Sequence, residues 1–558
     1  MPRVINLQTS FNSGVLDPRL AARTDLKHFY QGAAEAENVQ TLPQGGMKRR
    51  PGFRYVDTIN AEARLAPFAF NVEQTYLMVF TNNNIAIYKD DVKQADVVTT
   101  YTTSELFNLQ WTQSADTMII VHEDHPPTKL VRGSTHASWT LSNIAFTNIP
   151  QYTFNTVDEN VWSATRGWPK SVTFYQGRMW LGGSKSRPQT LWGSKTNDFY
   201  NFDLGTSLDD ESLDLTLDTD QVNAITSVYA GRHLQVFTTG GEFSMTDIPL
   251  TPSKSAIKRQ TLFGSSNIPP KSIDGTTLFV DRTGKSVREY LFNYAEDAYT
   301  SGTVSLLASH LLNSPVDMDA LRGTAKDDAN YVYFINGDGT VAVFNTLRSQ
   351  EVGGWTKWTT NGQCESVAAV VEEVYFIVKR TINGSVVRYL ERLDSDTYTD
   401  SCVTVSLSPA SSVITGLSHL ENEECRVRAD GSVMEKVTPS SGSVTLSRAA
   451  EEVEVGLNYN ATIKTMPINQ DFQDGPTLTR QKRVVRVIAN LYESLGVAVN
   501  GDYLVDRSFG MALGSSITPY TGIKEMYLLG WTDLAQVSIT QIDPGPMTVL
   551  GLGVEVEA

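Results

Sequence analysis

The chain is poor in the residues that build disulfide frameworks and metal sites, with 3 cysteines and 7 histidines in 558 residues. Cys364, Cys402 and Cys425 are odd in number and lack CxxC spacing, which excludes a disulfide scaffold and a zinc finger. Such thiol usage fits folding in a reducing cytoplasm. Long apolar runs are missing too. No stretch approaches the roughly 18 apolar residues of a membrane-spanning helix, so no such span is expected. The opening MPRVINLQTSFNSG has no apolar core, so a signal peptide is not expected either. Cations are in deficit, 46 Lys and Arg against 62 Asp and Glu, for a formal net charge of -16. That disfavours a general duplex-DNA binder, whose footprint is net basic. It leaves room for a protein that lets DNA pass without gripping it.

What is present is β-rich. After residue 64 the text becomes a series of paired short β-runs across polar or Gly-containing turns. They lie at 76–89, 117–132, 178–194, 233–245, 277–292, 331–345 and 373–393. Hairpins recurring every 40–60 residues or so predict a β-propeller of six or seven blades, because small sheets packed radially cover one another's faces. A string of unrelated sandwich hairpins is the alternative. From about 400 the spacing shortens to a turn every 8–12 residues or so, which reads as a small β-barrel or sandwich. More strands follow, such as VVRVIANLYES and KEMYLLG, and the alternating MTVLGLGVEVEA reads as a last strand. Helix is expected in two places. DPRLAARTDLKHFYQGAAEAENV starts with Asp17 as cap and Pro18 at the first helical position. EDAYTSGTVSLLASHLL (296–312) is the second. The expected organisation is an N-terminal arm, helix and basic segment (1–63), a propeller (64–398), a small barrel or sandwich (399–480) and a C-terminal β domain (481–558).

Three motifs hint at chemistry and fail on inspection. RTGKS at 282–286 resembles the end of a phosphate-binding loop, but Phe279 stands where the first glycine belongs and a strand follows. HEDH at 122–125 offers two imidazoles and two carboxylates, at a spacing that fits neither a strand nor a helical HExxH site. It reads as a solvated hairpin tip. LDDESLDLTLDTDQ (208–221) is acid-rich but lacks the glycine and glutamate positions of a calcium loop. No GxSxG elbow occurs. No catalytic residue, cofactor or metal site is therefore expected. Paired carboxylates gathered from distant blades for glycoside cleavage would leave no trace in spacing.

The remaining signal is TLPQGGMKRRPGFRY (41–55). Gly45 and Gly46 allow backbone geometry barred to other residues, and Lys48, Arg49, Arg50 and Arg54 follow within a few positions. In so acidic a chain these cations are expected at an assembly interface, meeting a neighbour's carboxylates through bidentate Arg forks. Contact with DNA phosphates, or a plain solvated loop, are the alternatives.

Several stretches together resemble one family. SFNSGVLDPRLAARTDLKHFYQGAAEAENVQTLPQGGMKRRPGFRYV is similar to the opening of the tail nozzle, or packaged-DNA stabilization, proteins of short-tailed phages. VYFIVKRTINGSVVRYLERLD and VREYLFNYAEDAYTSGTVSLLASHLL resemble its propeller. GLSHLENEECRVRADGSVMEKVTPSSGSVTL and VEVGLNYNATIKTMPI resemble the β-domain that follows. The resemblance covers most of residues 1–500, with the PQGG…RRPG block its most specific part. It implies a virion structural protein made in the bacterial cytoplasm. It also implies a homo-oligomeric, usually hexameric ring below the portal and adaptor, which extends the DNA ejection channel, retains packaged DNA and docks tail fibres or spikes. Viral double-stranded DNA would pass through the lumen without sequence-specific binding. No catalysis and no organic cofactor are implied. A receptor-binding or polysaccharide-cleaving tail propeller is the rival expectation.

Overall fold

The computed structural model describes residues 3–219, 222–323, 329–469, 471–472, 475–476, 480–507, 510 and 517–557. Among them, seven four-stranded antiparallel units follow one another. They span 64–98, 110–143, 171–216, 225–261, 271–303, 315–358 and 363–394, here called blades 1 to 7. Blade 7 draws only three strands from its own stretch. Its outer strand is Gly52–Ile59, which pairs antiparallel with Ser385–Asp394. The strand that precedes blade 1 thus completes blade 7, and the ring closes on hydrogen bonds. The fold is a seven-bladed β-propeller.

Each hairpin legible in the sequence is the middle pair of one blade. The first middle strand of each blade is covered on both faces. Thr276–Val280 and Tyr331–Asn336 are buried at every residue, so their β signal is the strongest in the chain. Inner and outer strands carry more polar residues and read less clearly.

Neither expected helix forms as an α-helix. Asp17 does cap, accepting the Arg19 N–H at 2.9 Å, but the turn it starts is a 3-10 segment, Pro18–Leu20. A second 3-10 turn follows at Phe29–Gln31, and then the strands Gly32–Glu37 and Val39–Thr41. GAAEAE has helix-forming composition, yet its small residues suit a crowded sheet. Ala33 and Ala36 are buried between Gly14–Val15, Val352–Trp358 and Ala461–Thr465. Tertiary packing overrides propensity, which is a weak prior. The 296–312 stretch likewise divides into the outer strand of blade 5, Ala298–Thr303, and a 3-10 turn, Leu306–Leu311.

Sheets run across the expected domain divisions. The outer strand of blade 7 also pairs, in parallel, with Asp400–Thr415, so that sheet continues through Ser443–Leu457 and Cys425–Ala429. The outer strand of blade 6, Val352–Trp358, pairs with Gly14–Val15. From there the sheet runs on through Gly32–Glu37, Ala461–Thr465, Ser538–Gln541 and Val497–Val499. A second sheet packs on this extension. In it Thr548–Glu557 lies between Arg483–Ser494 on one side and Arg3–Gln8 with Met47–Arg49 on the other. One core fills the space between them, with Phe11, Val39 and Met47 from the arm and Val487, Ile539 and Val554 from the C-terminal part. The arm of 1–63 is therefore no separate unit. It supplies strands to the propeller and to the terminal sandwich.

The inner strands surround a central cavity of about 430 Å³. Polar side chains belt it. Asp317 of blade 6 accepts the Ser366 hydroxyl at 2.6 Å and the Val367 N–H at 3.2 Å, and Asp319 accepts the Ala369 N–H at 3.0 Å, which pins blade 6 to blade 7. Lys271 of blade 5 lies 2.8 Å from Asp319. Gln110 of blade 2 reaches past blade 3 and donates to the Thr226 carbonyl at 2.6 Å in blade 4. Burial pushes the Asp317 carboxyl up, opposed by the nearby Arg64 guanidinium. Asp317→Ala is expected to leave the Val367 N–H without its acceptor and to cost about 1–3 kcal/mol, read as a lowered urea midpoint.

Candidate functional site

The basic segment forms the joint between propeller and terminal sandwich. Leu42–Gly46 makes a tight turn in which Gly45 N–H donates to the Leu42 carbonyl at 2.9 Å and Leu42 N–H to the Gly46 carbonyl at 2.8 Å. Gly45 sits at φ +101°, and a Cβ there would lie 3.2 Å from the Ser10 Cβ. The turn folds Met47–Arg49 back on Val39–Thr41, Val39 opposite Arg49. Gly46 and Lys48 lie against the last strand, where Lys48 is paired in register with Thr548.

Arg49 and Arg50 do not lie on the surface. They are 1% and 0% exposed, which corrects the expectation that they meet a neighbouring subunit. Arg50 makes a bidentate pair with Asp400, Nη1 to Oδ1 at 2.8 Å and Nη2 to Oδ2 at 2.7 Å. Its Nε donates to Asn38 Oδ1 at 3.0 Å and its Nη2 to the Thr359 carbonyl at 2.9 Å. The guanidinium carbon sits over Tyr459, 3.6 Å from the ring centroid. Burial alone would lower its pKa, but Asp400 outweighs burial and the net shift is upward. Arg49 has a different environment. Among the described residues no carboxylate pairs with it. It donates to Gln541 Oε1 at 2.9 Å, the Tyr459 carbonyl at 2.8 Å and the Asp543 carbonyl at 3.0 Å, with Tyr459 4.2 Å from its carbon centre. Carbonyl dipoles take the place of an anion, which suits the weakly hydrated guanidinium better than an ammonium.

The network extends further. Thr360 hydroxyl donates to Asp400 at 2.7 Å and accepts from Arg380 at 2.9 Å, and Arg380 pairs bidentately with Glu391 at 2.8 and 2.6 Å. Both partners of that second pair are also 0% exposed. Arg54 behaves otherwise. Its side chain is 40% exposed and sits 3.8 Å from Asp394. Lys48 is half-buried.

The other motifs resolve as local structure. In the 282–286 turn, Asp281 accepts from the Thr283 and Lys285 N–H groups and from the Ser286 hydroxyl. A carboxylate thus occupies the backbone groups that a phosphate would need. In the acidic run, Glu211 accepts the Thr206 and Leu208 N–H groups at 2.7 Å each, and Leu213–Thr216 is the outer strand of blade 3. Residues 220–221 of that run lie outside the described residues. Asp400, Tyr459 and Gln541 were not marked by any local pattern, because each lies hundreds of residues from the arginine it serves; Glu391 lies near Arg380 on the adjacent strand of blade 7, and only the fold shows that this pair is buried.

By sequence, no described protein family and no curated protein matches the chain. Solved propellers resemble it in fold. The WD40 domain of Neurospora crassa Pan2 is 8% identical at TM-score 0.36, over 61% of this chain and 95% of that one. The structure of U3-55K is 9% identical at TM-score 0.39, over 62% and 100%. The dihydro-heme d1 dehydrogenase NirN is 10% identical at TM-score 0.36, over 84% and 76%. These are similarities of fold alone. Among the described residues, no helix is long and apolar enough to cross a membrane.

Proposed function

We propose that the chain is a structural subunit of the nozzle of a short phage tail. In this reading several copies, six in the usual arrangement, close a ring below portal and adaptor. The ring extends the DNA exit channel, retains packaged DNA and offers a dock to tail fibres or spikes. The observation that carries the reading is a sheet face built from both ends of the chain. Along the terminal sheet Ile5 is opposite Glu555, which is opposite Arg486, which is opposite Tyr527. The outward side chains Ile5, Leu7, Ile523 and Tyr527 are 51%, 66%, 59% and 71% exposed. Exposed apolar side chains gathered on one rigid face, crossed by the ion pairs of Arg486 with Glu525 and Glu555, have the character of a protein–protein contact.

Two further features support the reading. The PQGG…RRPG block, the most specific part of the resemblance, is the joint that sets the angle between propeller and sandwich. A ring needs that angle held. The central cavity, at about 430 Å³, has the size of a small-molecule site. DNA would therefore pass between copies and not through a propeller. With -16 per chain, a mostly acidic or polar lumen repels phosphates over about 10 Å at 0.1 M salt, so DNA is retained by steric closure and not by binding.

The test is electron microscopy of the purified chain and of the assembled tail. Wild type should form rings with a central hole. Leu7→Glu combined with Tyr527→Glu should remain monomeric with an unchanged melting curve, since both side chains point outward. Finding the chain away from the tail axis in a particle would overturn the reading. The axial cavity favours one rival, a receptor-binding or polysaccharide-cleaving propeller. Release of reducing ends from host polysaccharide would establish it.

A further inference from the structure

HEDH, read from sequence as a solvated tip, is placed by the fold beside a third residue from another element. His122 and His125 flank the turn between the two middle strands of blade 2. Glu105 belongs to the 3-10 turn Thr103–Asn108, in the connection from blade 1 to blade 2. In a propeller these two kinds of connection emerge on the same face. One ring nitrogen of each histidine and one carboxylate oxygen of Glu105 all lie within 4.8 Å of one another.

We propose that Glu105, His122 and His125 form a binding site for a zinc-class divalent ion, with a fourth position open to solvent. Three observations carry this. First, His122 is only 2% exposed, and its Nε2 has no hydrogen-bond partner among the described residues. A buried polar atom without a partner is costly, and a cation supplies what the site lacks. Second, His125 Nε2 is 3.1 Å from Glu105 Oε1 without the alignment of a hydrogen bond. That is close to the separation of two ligands on one tetrahedral ion with bonds of about 2.0–2.1 Å. Third, the outer partners orient the donors. Glu105 Oε2 accepts the Thr102 N–H at 2.7 Å and the Thr102 hydroxyl at 2.8 Å, which leaves Oε1 facing His125. His125 Nδ1 lies 3.3 Å from Thr100 Oγ1, so it can donate there and leave Nε2 unprotonated.

Loading has one identifiable cost. His122 Nδ1 accepts the Asp124 N–H at 3.1 Å. If Nε2 ligates, the proton moves to Nδ1; if Nδ1 ligates, its lone pair is taken. Either way the Asp124 N–H gives up that bond. Donors up to 4.8 Å apart must also draw in. The ion then ties the connection between blades 1 and 2 to the tip of blade 2.

The experiment uses the full chain, stripped with chelator and titrated with ZnCl2 by calorimetry, and with CoCl2 by absorption. One ion per chain is expected, with the intense visible bands of low-coordinate cobalt and a melting temperature raised by zinc. Glu105→Gln and His125→Gln, both at partly exposed positions, should each bind roughly tenfold or more weaker. His136→Gln, at a histidine outside the cluster, should bind as wild type. Zinc affinity unchanged in Glu105→Gln and His125→Gln, or no stoichiometric binding by wild type, overturns the site.

Discussion

Arg50→Met is expected to destabilise the protein by about 3–5 kcal/mol, the range for removing one partner of a buried ion pair. The reason is what stays behind. Asp400 is 0% exposed, and without Arg50 it keeps, among the described residues, the Thr360 hydroxyl and the Phe53 N–H at 3.3 Å. Asn38 and the Thr359 carbonyl lose a donor at the same time. The loss is read from the urea midpoint followed by tryptophan fluorescence. Arg50→Met with Asp400→Leu should recover much of it, because the stranded charge is gone. Arg54→Met, at a 40% exposed arginine with a 3.8 Å partner, should stay within about 0.5 kcal/mol of wild type. Equal stability of Arg50→Met and Arg54→Met would refute the assignment of the joint. The result also bears on assembly. Charge reversal at Arg49 and Arg50 would disrupt folding before it could report on any interface.

Gly14→Val is expected to cost roughly 3–5 kcal/mol, from strain at a left-handed backbone position added to overpacking. Gly14 has φ +60°, and a Cβ on it would overlap the backbone nitrogen and oxygen of Trp355. Gly14 is the residue that pairs with Trp355 where the arm joins the outer strand of blade 6. No side-chain rotation relieves a clash with backbone. The expected outcome is a chain that loses protection of the arm strands in hydrogen exchange while the middle strands of the blades keep theirs. Gly384→Val is the control. It too has positive φ, but no atom lies within 4 Å of its Cβ position, so it carries the strain without the clash and should cost less. A Gly14→Val protein as stable as the control would mean the arm does not dock this way.

Alternation and turn chemistry made the propeller legible. The seven middle hairpins stand out because the first strand of each pair is largely buried and apolar, as in Thr276–Val280 and Tyr331–Asn336, and a polar or Gly-containing turn follows it. The closure of blade 7 by Gly52–Ile59 was not legible, since its partner strand Ser385–Asp394 comes more than 300 residues later. The helix expected over GAAEAE failed for a related cause. Local propensity reports what an isolated segment prefers, and that segment is hemmed in on both sides by strands from residues 14–15, 352–358 and 461–465.

The site followed the same division. Local spacing displayed the cations of 48–54 and the histidines of 122–125, and it correctly showed that RTGKS has no glycine cradle. It could not say whether a cation is exposed. Arg49 and Arg54 are five positions apart, and one is buried under Tyr459 while the other reaches solvent. Nor could it bring Glu105 to the histidines, because a turn between blades and a turn within a blade meet only when the sheet is folded. By itself the sequence determined the period, the strands and the charges, which depend on neighbours a few residues apart. Only the tertiary structure decided which charges are buried in pairs, which strand closes the ring and which face is left bare, because each of those depends on groups that meet only once the chain is folded, Arg50 and Asp400 being 350 residues apart.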